Sequence, residues 1–283
     1  MNFLSLLVGT VILRPYVFVF LAVFLFAGIT SMGRARTAAF LFGTWVIAFL
    51  SEFSSTRNGF PYGWYHYTGN TRGQELFIFD VPFMDSLSYS FLLFASYSMS
   101  LFTLASLRRR GWRFYVLDTF ELRQSFRVLI LTAVYMMMID FIIDPVALQG
   151  DKWFLGRIYY YDYQGHYFGV PLSNALGWGL VGFVATFVYQ RIERRYFPSS
   201  YRDKGTKLLG LRGYFGVGLY YGVLAFNLAV TAWIEAWGLL IAGCFIWIMP
   251  TLIFTLKVFD SRWQATEAEW NSYLSEWKIE NRK

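Results

Sequence analysis

The 283-residue sequence has very little of what thiol or metal chemistry requires. It contains one cysteine, Cys244, and two histidines, His66 and His166. A single cysteine excludes an internal disulfide and a cysteine-bound metal cluster. A histidine-bound di-iron centre of the kind used by membrane oxygenases and desaturases needs far more imidazoles. Although carboxylates alone can also hold metals, we expect neither a metal nor a redox cofactor.

Charged residues are also scarce. Only 15% of the residues are charged, whereas 56% are hydrophobic and 22% are aromatic. A soluble domain has about 25% charged residues, so the composition predicts an integral membrane protein. The formal net charge of +7 does not indicate nucleic-acid binding, because the basic residues are concentrated in short loops, where they set membrane topology.

Seven apolar runs predict an all-α fold, a polytopic membrane bundle of about seven transmembrane helices. We expect residues 1–283 to form a single transmembrane domain. The runs cover residues 13–32, 37–53, 84–106, 128–148, 171–190, 213–234 and 237–256.

Residues 258–283 are predicted to form a cytoplasmic amphipathic tail on the membrane surface. Packing of this tail against the bundle is the alternative. Both interpretations rest on apolar positions that recur at helical spacing, namely Trp263, Trp270, Leu274 and Trp277.

Basic residues alternate between the two sides of the predicted bundle. The positive-inside rule then predicts a multi-pass protein of the cell membrane with its N-terminus outside and its C-terminus in the cytoplasm. One side has Arg14, Arg57, Arg72, Lys152 and Arg157. The other has Arg34, Arg36, Arg108, Arg109, Arg110, Arg113, Arg123, Arg127, Arg191, Arg194, Arg195, Arg202, Lys204, Lys207, Arg212, Lys257, Arg262, Lys278, Arg282 and Lys283.

Two aspartates interrupt the apolar run at 128–148. Each costs on the order of 2.5–3.5 kcal/mol in a bilayer and somewhat less near the end of a span. Asp140 and Asp144 are four positions apart, so they project from one face of a helix. Two such penalties on one face indicate a functional site.

Other acids are predicted to lie at the same membrane face. Glu52 ends the second run, Asp85 opens the third and Glu235 opens the seventh. Together with the aspartate pair they predict a pocket. The alternative is that these acids cap helices or pair with basic residues of the same side: Arg57, Arg72 and Arg157.

Two long loops at this face, 54–83 and 149–172, are rich in glycine and aromatic residues. Loops of this length inside a compact bundle are often functional, although tyrosine and tryptophan also form interfacial belts. A pair of neighbouring carboxylates can hold one proton and accept another, and aromatic faces stabilise cations. The combination suits protonation of an alkene followed by capture of the carbocation by water.

Two sequence blocks resemble the membrane family of carotenoid 1,2-hydratases. The first is E-F-S-S-T-R-N-G-F-P-Y-G-W-Y-H-Y-T-G, from Glu52 to Gly69. The second begins with the D-x-x-x-D-P motif at 140–145 and continues as G-H-Y-F-G-V-P-L-S-N-A-L-G-W, from Gly165 to Trp178. The resemblance covers most of the chain.

The resemblance implies addition of water to the terminal C1,C2 double bond of an acyclic carotenoid end group, which gives a tertiary alcohol. Lycopene-like, γ-carotene-like or bisanhydrobacterioruberin-like polyenes are the implied substrates, and no cofactor is implied. Because such a substrate dissolves in lipid, the site should open to the bilayer. The bilayer and the carotenoid are the expected partners, and association with other carotenoid-pathway enzymes is compatible with this role.

The same resemblance suggests roles for individual residues. Asp140 or Asp144 would protonate C2, and the other aspartate or Glu52 would deprotonate the attacking water. Asp85 is expected to contribute to substrate binding. The aromatic residues Trp64, Tyr65 and Tyr167 would face the cation at C1. The polar residues His166 and Asn174 would position the water.

Three other functions are compatible with parts of the pattern. A retinal protein needs a lysine in mid-membrane, and Lys257 is the sole lysine near a span and lies at its end. A proton-coupled transporter often shows internal repeats, which this sequence lacks. A carotenoid cyclase or isomerase would use the same carbocation but exclude water.

Overall fold

The computed structural model describes residues 2–197 and 210–280, with side chains up to residue 275. Seven of the described helices are long and apolar enough to cross a membrane, which confirms the predicted all-α polytopic bundle. A short apolar helix, not foreseen from the sequence, precedes them. The helices are α1 (Phe3–Leu13), α2 (Pro15–Met32), α3 (Arg34–Asn58), α4 (Phe83–Leu104), α5 (Phe120–Arg123), α6 (Phe126–Ala147), α7 (Leu172–Tyr196), α8 (Arg212–Trp233), α9 (Trp237–Phe259) and α10 (Glu267–Glu280).

The described loops contain short antiparallel strand pairs. The pair that matters most for the site joins two segments far apart in sequence, one from each aromatic loop. The pairs are β1 (Tyr65–Tyr67) with β6 (Tyr159–Tyr161), β2 (Phe77–Ile78) with β3 (Val81–Pro82), and β4 (Leu107–Arg110) with β5 (Arg113–Val116).

Consecutive spans run in opposite directions, so the loops fall into two sets. Residues 59–82 and 148–171 share one end of the bundle, which we call the loop end. The opposite, arginine-rich end carries the β4–β5 hairpin. This arrangement agrees with the charge pattern behind the predicted orientation, which itself stays a prediction. Some of the basic side chains in that pattern lie outside the described side chains, namely Arg202, Lys204, Lys207, Lys278, Arg282 and Lys283.

Helix α4 lies at the centre of the bundle. It is the most buried of the candidate spans and packs against α3, α6 and α8. Small polar residues on α4 allow neighbouring helices to approach closely. For example, Thr132 Oγ1 on α6 lies 3.0 Å from Ser100 Oγ on α4. This packing fixes the helix ends that build the site.

Two glycines allow the turn that follows α3 to pack against α7. Helix α3 ends at Gly59, whose φ of 77° is a left-handed conformation that glycine adopts at no steric cost. On α7, a Cβ at Gly177 would lie 2.6 Å from the ring of Tyr62. A larger residue at 177 would therefore push α7 away from the turn that follows α3.

The C-terminal segment packs on the hairpin at the arginine-rich end. Trp270 and Tyr273 on α10 are buried, and the Trp270 ring centroid is 5.0 Å from that of Tyr115 on β5. These residues adopt the packed arrangement, which was the alternative to a free surface helix. The side chain of Trp277 lies outside the described residues, and the limits of the tail and its cytoplasmic location stay predictions.

The orientation can be tested with single cysteines in a Cys244→Ser background. Trp112 at the hairpin tip is 90% exposed, and Tyr163 at the loop end is 51% exposed. We expect a membrane-impermeant maleimide to label Tyr163→Cys in intact spheroplasts and Trp112→Cys only after permeabilisation. The opposite labelling pattern would mean that the bundle is inverted.

Candidate functional site

A cavity of about 160 Å³ lies inside the loop end of the bundle. A single water needs only about 10–15 Å³ measured in the same way, so the cavity has room for several waters or for one end of an apolar molecule. One half has a polar lining that includes Arg14, Glu52, Tyr65, Tyr67, Asp85, Asp144, Tyr159, Tyr161 and Asn174. The other half has an apolar lining that includes Val17, Phe20, Phe91, Leu92, Val223 and Phe226.

One amide group joins the two aspartates of α6. Asn174, in the first turn of α7, donates through Nδ2 to Asp140 Oδ1 and to Asp144 Oδ2, each at 2.7 Å. The two carboxylate oxygens are therefore no more than twice this distance apart. Asp144 lines the cavity, whereas Asp140 lies behind it and is 1% exposed. Four-residue spacing on α6 produces this stacking.

Strands β1 and β6 form the wall of the cavity that faces the loop end. Successive residues of a strand point to opposite faces, so the outer positions of the pair, His66 and Tyr160, point away from the cavity. His66 Nε2 instead lies 3.1 Å from Asp162 Oδ1 near the surface. The inner positions line the cavity: Tyr65, Tyr67, Tyr159 and Tyr161.

The inner tyrosines hydrogen-bond to the acids of the site. Tyr161 Oη donates to Asp144 Oδ2 at 3.3 Å, and Tyr67 Oη donates to Glu52 Oε2 at 3.1 Å. Burial and the nearby carboxylate raise the pKa of both phenols well above the usual value: Glu52 acts on Tyr67 and Asp144 acts on Tyr161. Both tyrosines therefore keep their protons at neutral pH and act as donors, not as bases.

Glu52 approaches the cavity from α3. It is 8% exposed, and in the described part of the chain its carboxylate interacts with the Tyr67 hydroxyl and forms no ion pair. Such an acid can exchange a proton without breaking a salt bridge. Glu52 and Asp144 thus provide acid groups from two different helices to one cavity.

Arg14 pairs with two acids at the edge of the cavity. It lies between α1 and α2, where Pro15 starts a new helix, and it is 2% exposed. Its Nε and Nη2 contact the Glu75 carboxylate at 2.7 and 3.0 Å, and its Nη1 contacts Asp85. The short helix α1 holds the Glu75 segment in place, because Thr10 Oγ1 accepts a hydrogen bond from Leu76 N at 2.9 Å.

The ion-pair partners suggested by the sequence were wrong for Asp85. Arg57, one of the three arginines considered, pairs with exposed Asp80 at 2.8 Å instead. The sequence marks Arg14 only as a charge at the start of a span, and no local pattern connects it to Glu75. Glu235 was also expected near the pocket, but it is exposed in the turn between α8 and α9.

The described site has many more acids than cations. The acids are Glu52, Glu75, Asp85, Asp140 and Asp144, and the cation among them is Arg14. Neighbouring carboxylates in an apolar environment cannot all ionise. The arrangement is therefore suited to holding protons inside the membrane.

The other predicted site residues lie outside the cavity lining. Trp64 is 43% exposed and His166 is also exposed. The Tyr167 ring packs against Phe141 of α6, with the ring centroids 5.1 Å apart. The pKa of the Tyr167 phenol is raised, mainly by burial and to a smaller extent by the charge of Asp140. Tyr167 therefore lies near the acid pair without facing the cavity. The roles of these three residues stay predictions.

Sequence reasoning missed several lining residues. Only Tyr65 of the cavity tyrosines was predicted to face the cation. The alternation in Y-H-Y at 65–67 and the Y-Y-Y run at 159–161 are the signals that indicate a strand with an inward face. The missed aromatic lining residues include Tyr62, Tyr67, Tyr89, Tyr159, Tyr161 and Trp178.

A family model described as carotenoid biosynthesis protein matches residues 3–250. The chain belongs to this family. Neither the curated proteins nor the solved structures contain a significant match. The matched range includes every residue of the cavity lining. This member of the carotenoid biosynthesis family is thus a multi-pass membrane protein with a role in carotenoid biosynthesis. As a membrane-embedded protein of this family, it contacts lipid and a carotenoid substrate.

The ion pairs of Arg14 with Glu75 and Asp85, which we call the Arg14 cluster, should be important for stability. Arg14→Met leaves buried Glu75 and partly buried Asp85 without their cation, and breaking a buried ion pair costs about 3–5 kcal/mol. We expect a strongly lowered melting temperature in detergent. The control is Arg57→Met, because exposed pairs contribute only about 0.2–1 kcal/mol. Equal melting temperatures for the two variants would contradict the structural role of Arg14.

Proposed function

We propose that this protein is a carotenoid 1,2-hydratase that needs no cofactor. The observation that supports the proposal is the Asn174 amide, which holds Asp140 and Asp144 together at the edge of a cavity lined with aromatic residues. Family membership supports a carotenoid as the substrate. The acid pair supports a reaction that begins with proton transfer.

The first step is protonation of the terminal double bond. Asp144 faces the cavity and donates its proton to C2, using the π electrons of the double bond to form the new C–H bond. A tertiary cation remains at C1. Asp140 does not reach the cavity, and with Asn174 it positions Asp144 and shares its protons. Tyr65 and the other inward tyrosines present their rings to the cation.

Water captures the cation in the second step. Its oxygen forms a bond to C1 and it loses a proton to Glu52. The proton then returns to Asp144 through hydroxyl groups and water in the cavity, so the net reaction is the addition of one water. Glu52 and Asp144 lie on different helices, which allows one group to act as acid while the other acts as base.

The polar half of the cavity favours hydration over cyclisation or isomerisation. Those reactions share the cation but require that water is kept away from it. Here Glu52 and Tyr67 line the cavity with groups that bind water. Pigment mass distinguishes the outcomes, because hydration adds one water at each modified end.

Substitution of the acids tests the mechanism in a host that accumulates lycopene. Asp144→Asn and Glu52→Gln should each lower hydroxylated pigment on the order of 100-fold or more, since general acid–base groups contribute about 10²–10⁴-fold. Asp140→Asn should also lower it. Asp80→Asn, an exposed acid at the same end, is the control and should retain activity.

Mass-resolved pigment analysis provides the readout, with equal membrane levels of each variant confirmed by blotting. Full activity of both Asp140→Asn and Asp144→Asn would rule out the assignment. Solute uptake by proteoliposomes, without any pigment conversion by the wild type, would instead favour a proton-coupled transporter.

The tyrosine wall provides a second test with a matched control on the same strand. Tyr161→Phe keeps the ring but removes the donor to Asp144, and a loss of about 1.4 kcal/mol in the transition state would slow turnover about tenfold. Tyr160→Phe changes a residue that points away from the cavity and should leave turnover unchanged. If both variants behaved alike in the pigment assay, the inward and outward faces would have no functional difference.

A further inference from the structure

The apolar half of the cavity reaches the seam between α2 and α8, on the side of the bundle. Tyr16 and Phe20 on α2 and Phe226 on α8 line the cavity, and each is also partly exposed. The Tyr16 and Phe226 rings are stacked at 5.1 Å, and the Phe20 ring lies 5.7 Å from Phe226. At this seam three rings form both the cavity wall and the contact between α2 and α8.

A loop residue closes the seam at its outer edge. Phe154 is 40% exposed and its ring lies 5.3 Å from that of Tyr16. The neighbouring Trp153 is buried and lines the cavity. The seam therefore combines rings from two helices and one loop, and its outermost ring faces the surroundings of the bundle.

The contacts across this wall are weak. Each aromatic pair contributes about 0.5–1.5 kcal/mol, and in a bilayer no hydrophobic force opposes the separation of apolar side chains, because lipid tails are equally apolar. Rotation of a few side chains can open the wall without separating α2 from α8. The polar lining is different, because there Arg14 forms buried ion pairs with Glu75 and Asp85.

The size of the cavity requires such an opening. A volume of about 160 Å³ accommodates an end group, but a carotenoid is many times larger. Its remaining polyene must leave the cavity through some wall. Passage through the polar wall would break buried ion pairs, whereas passage through the aromatic seam exchanges one apolar contact for another.

From these observations we propose that Tyr16, Phe20 and Phe226 form a lateral portal that binds the polyene immediately behind its end group. The body of the carotenoid then lies in the bilayer. The inference rests on the proposed function for its substrate class. Flat rings on both sides of the portal match a flat conjugated chain, and an acyclic end group is slimmer than a cyclised one and passes between such rings more readily.

Induced circular dichroism tests the portal without relying on turnover. Lycopene is achiral, so a visible dichroic band arises only when the protein binds it in a fixed chiral environment. The assay uses the full chain in nanodiscs loaded with lycopene, in an Asp144→Asn background that prevents conversion. Phe226→Trp and Phe20→Trp enlarge the portal rings and should weaken the band at least tenfold. Phe245→Trp is the control, because Phe245 on α9 is 69% exposed and lies outside the cavity lining.

The same substitutions are then measured for pigment conversion in the active background. Phe226→Leu keeps an apolar but smaller side chain, so it should retain the dichroic band and allow conversion of bulkier end groups. All variants are first checked for monodisperse elution in size-exclusion chromatography. If Phe226→Trp does not fold, the dichroic band of Phe20→Trp alone tests the portal.

Two results would overturn the portal. One is an unchanged band in the folded portal variants, and the other is the absence of any induced band in the Asp144→Asn parent. Failure of the proposed reaction would look different, because lycopene would give a portal-dependent band while the active protein formed no hydroxylated product.

Discussion

The bridge from Asn174 to Asp140 and Asp144 is the interaction on which the site depends. It brings together two acids that a bilayer disfavours and fixes α6 against α7 at the loop end. An isolated carboxylate at this depth would have no partner able to compensate for the loss of water. The shared amide provides that partner, and Tyr161 adds a second donor. Neither acid needs a neighbouring cation, so both remain available for proton exchange.

The Arg14 cluster also contains carboxylates, but it holds them with a cation. There the guanidinium contacts both carboxylates, so the acids are held as part of the framework. The cavity therefore contains two kinds of carboxyl group, one fixed by charge pairing and one held by neutral donors. This contrast separates the supporting wall of the site from the groups to which we assign the chemistry.

Local sequence patterns were sufficient for some of this structure and not for the rest. Apolar runs of bilayer length predicted the seven spans, because hydropathy depends on composition alone. The four-residue spacing of Asp140 and Asp144 predicted a shared helix face, and the family resemblance added Asn174. The pairing of Arg14 with Glu75 joins residues 61 positions apart, and β1 pairs with β6 across a still longer stretch of sequence. Such contacts depend on how the helices pack, which no short window of sequence contains.

The link between α6 and α7 also has a consequence for biosynthesis. Membrane spans are made in chain order, so the two aspartates of α6 enter the bilayer before α7 and its asparagine exist. During that interval the acids have neither the shared amide nor the finished tyrosine wall, because β6 also follows α6. Chains that stop at this stage would retain unpaired acids in the membrane and would be suitable substrates for quality-control proteases. Completion of the hydrogen-bonded acid pair and release from that vulnerable state are thus the same event.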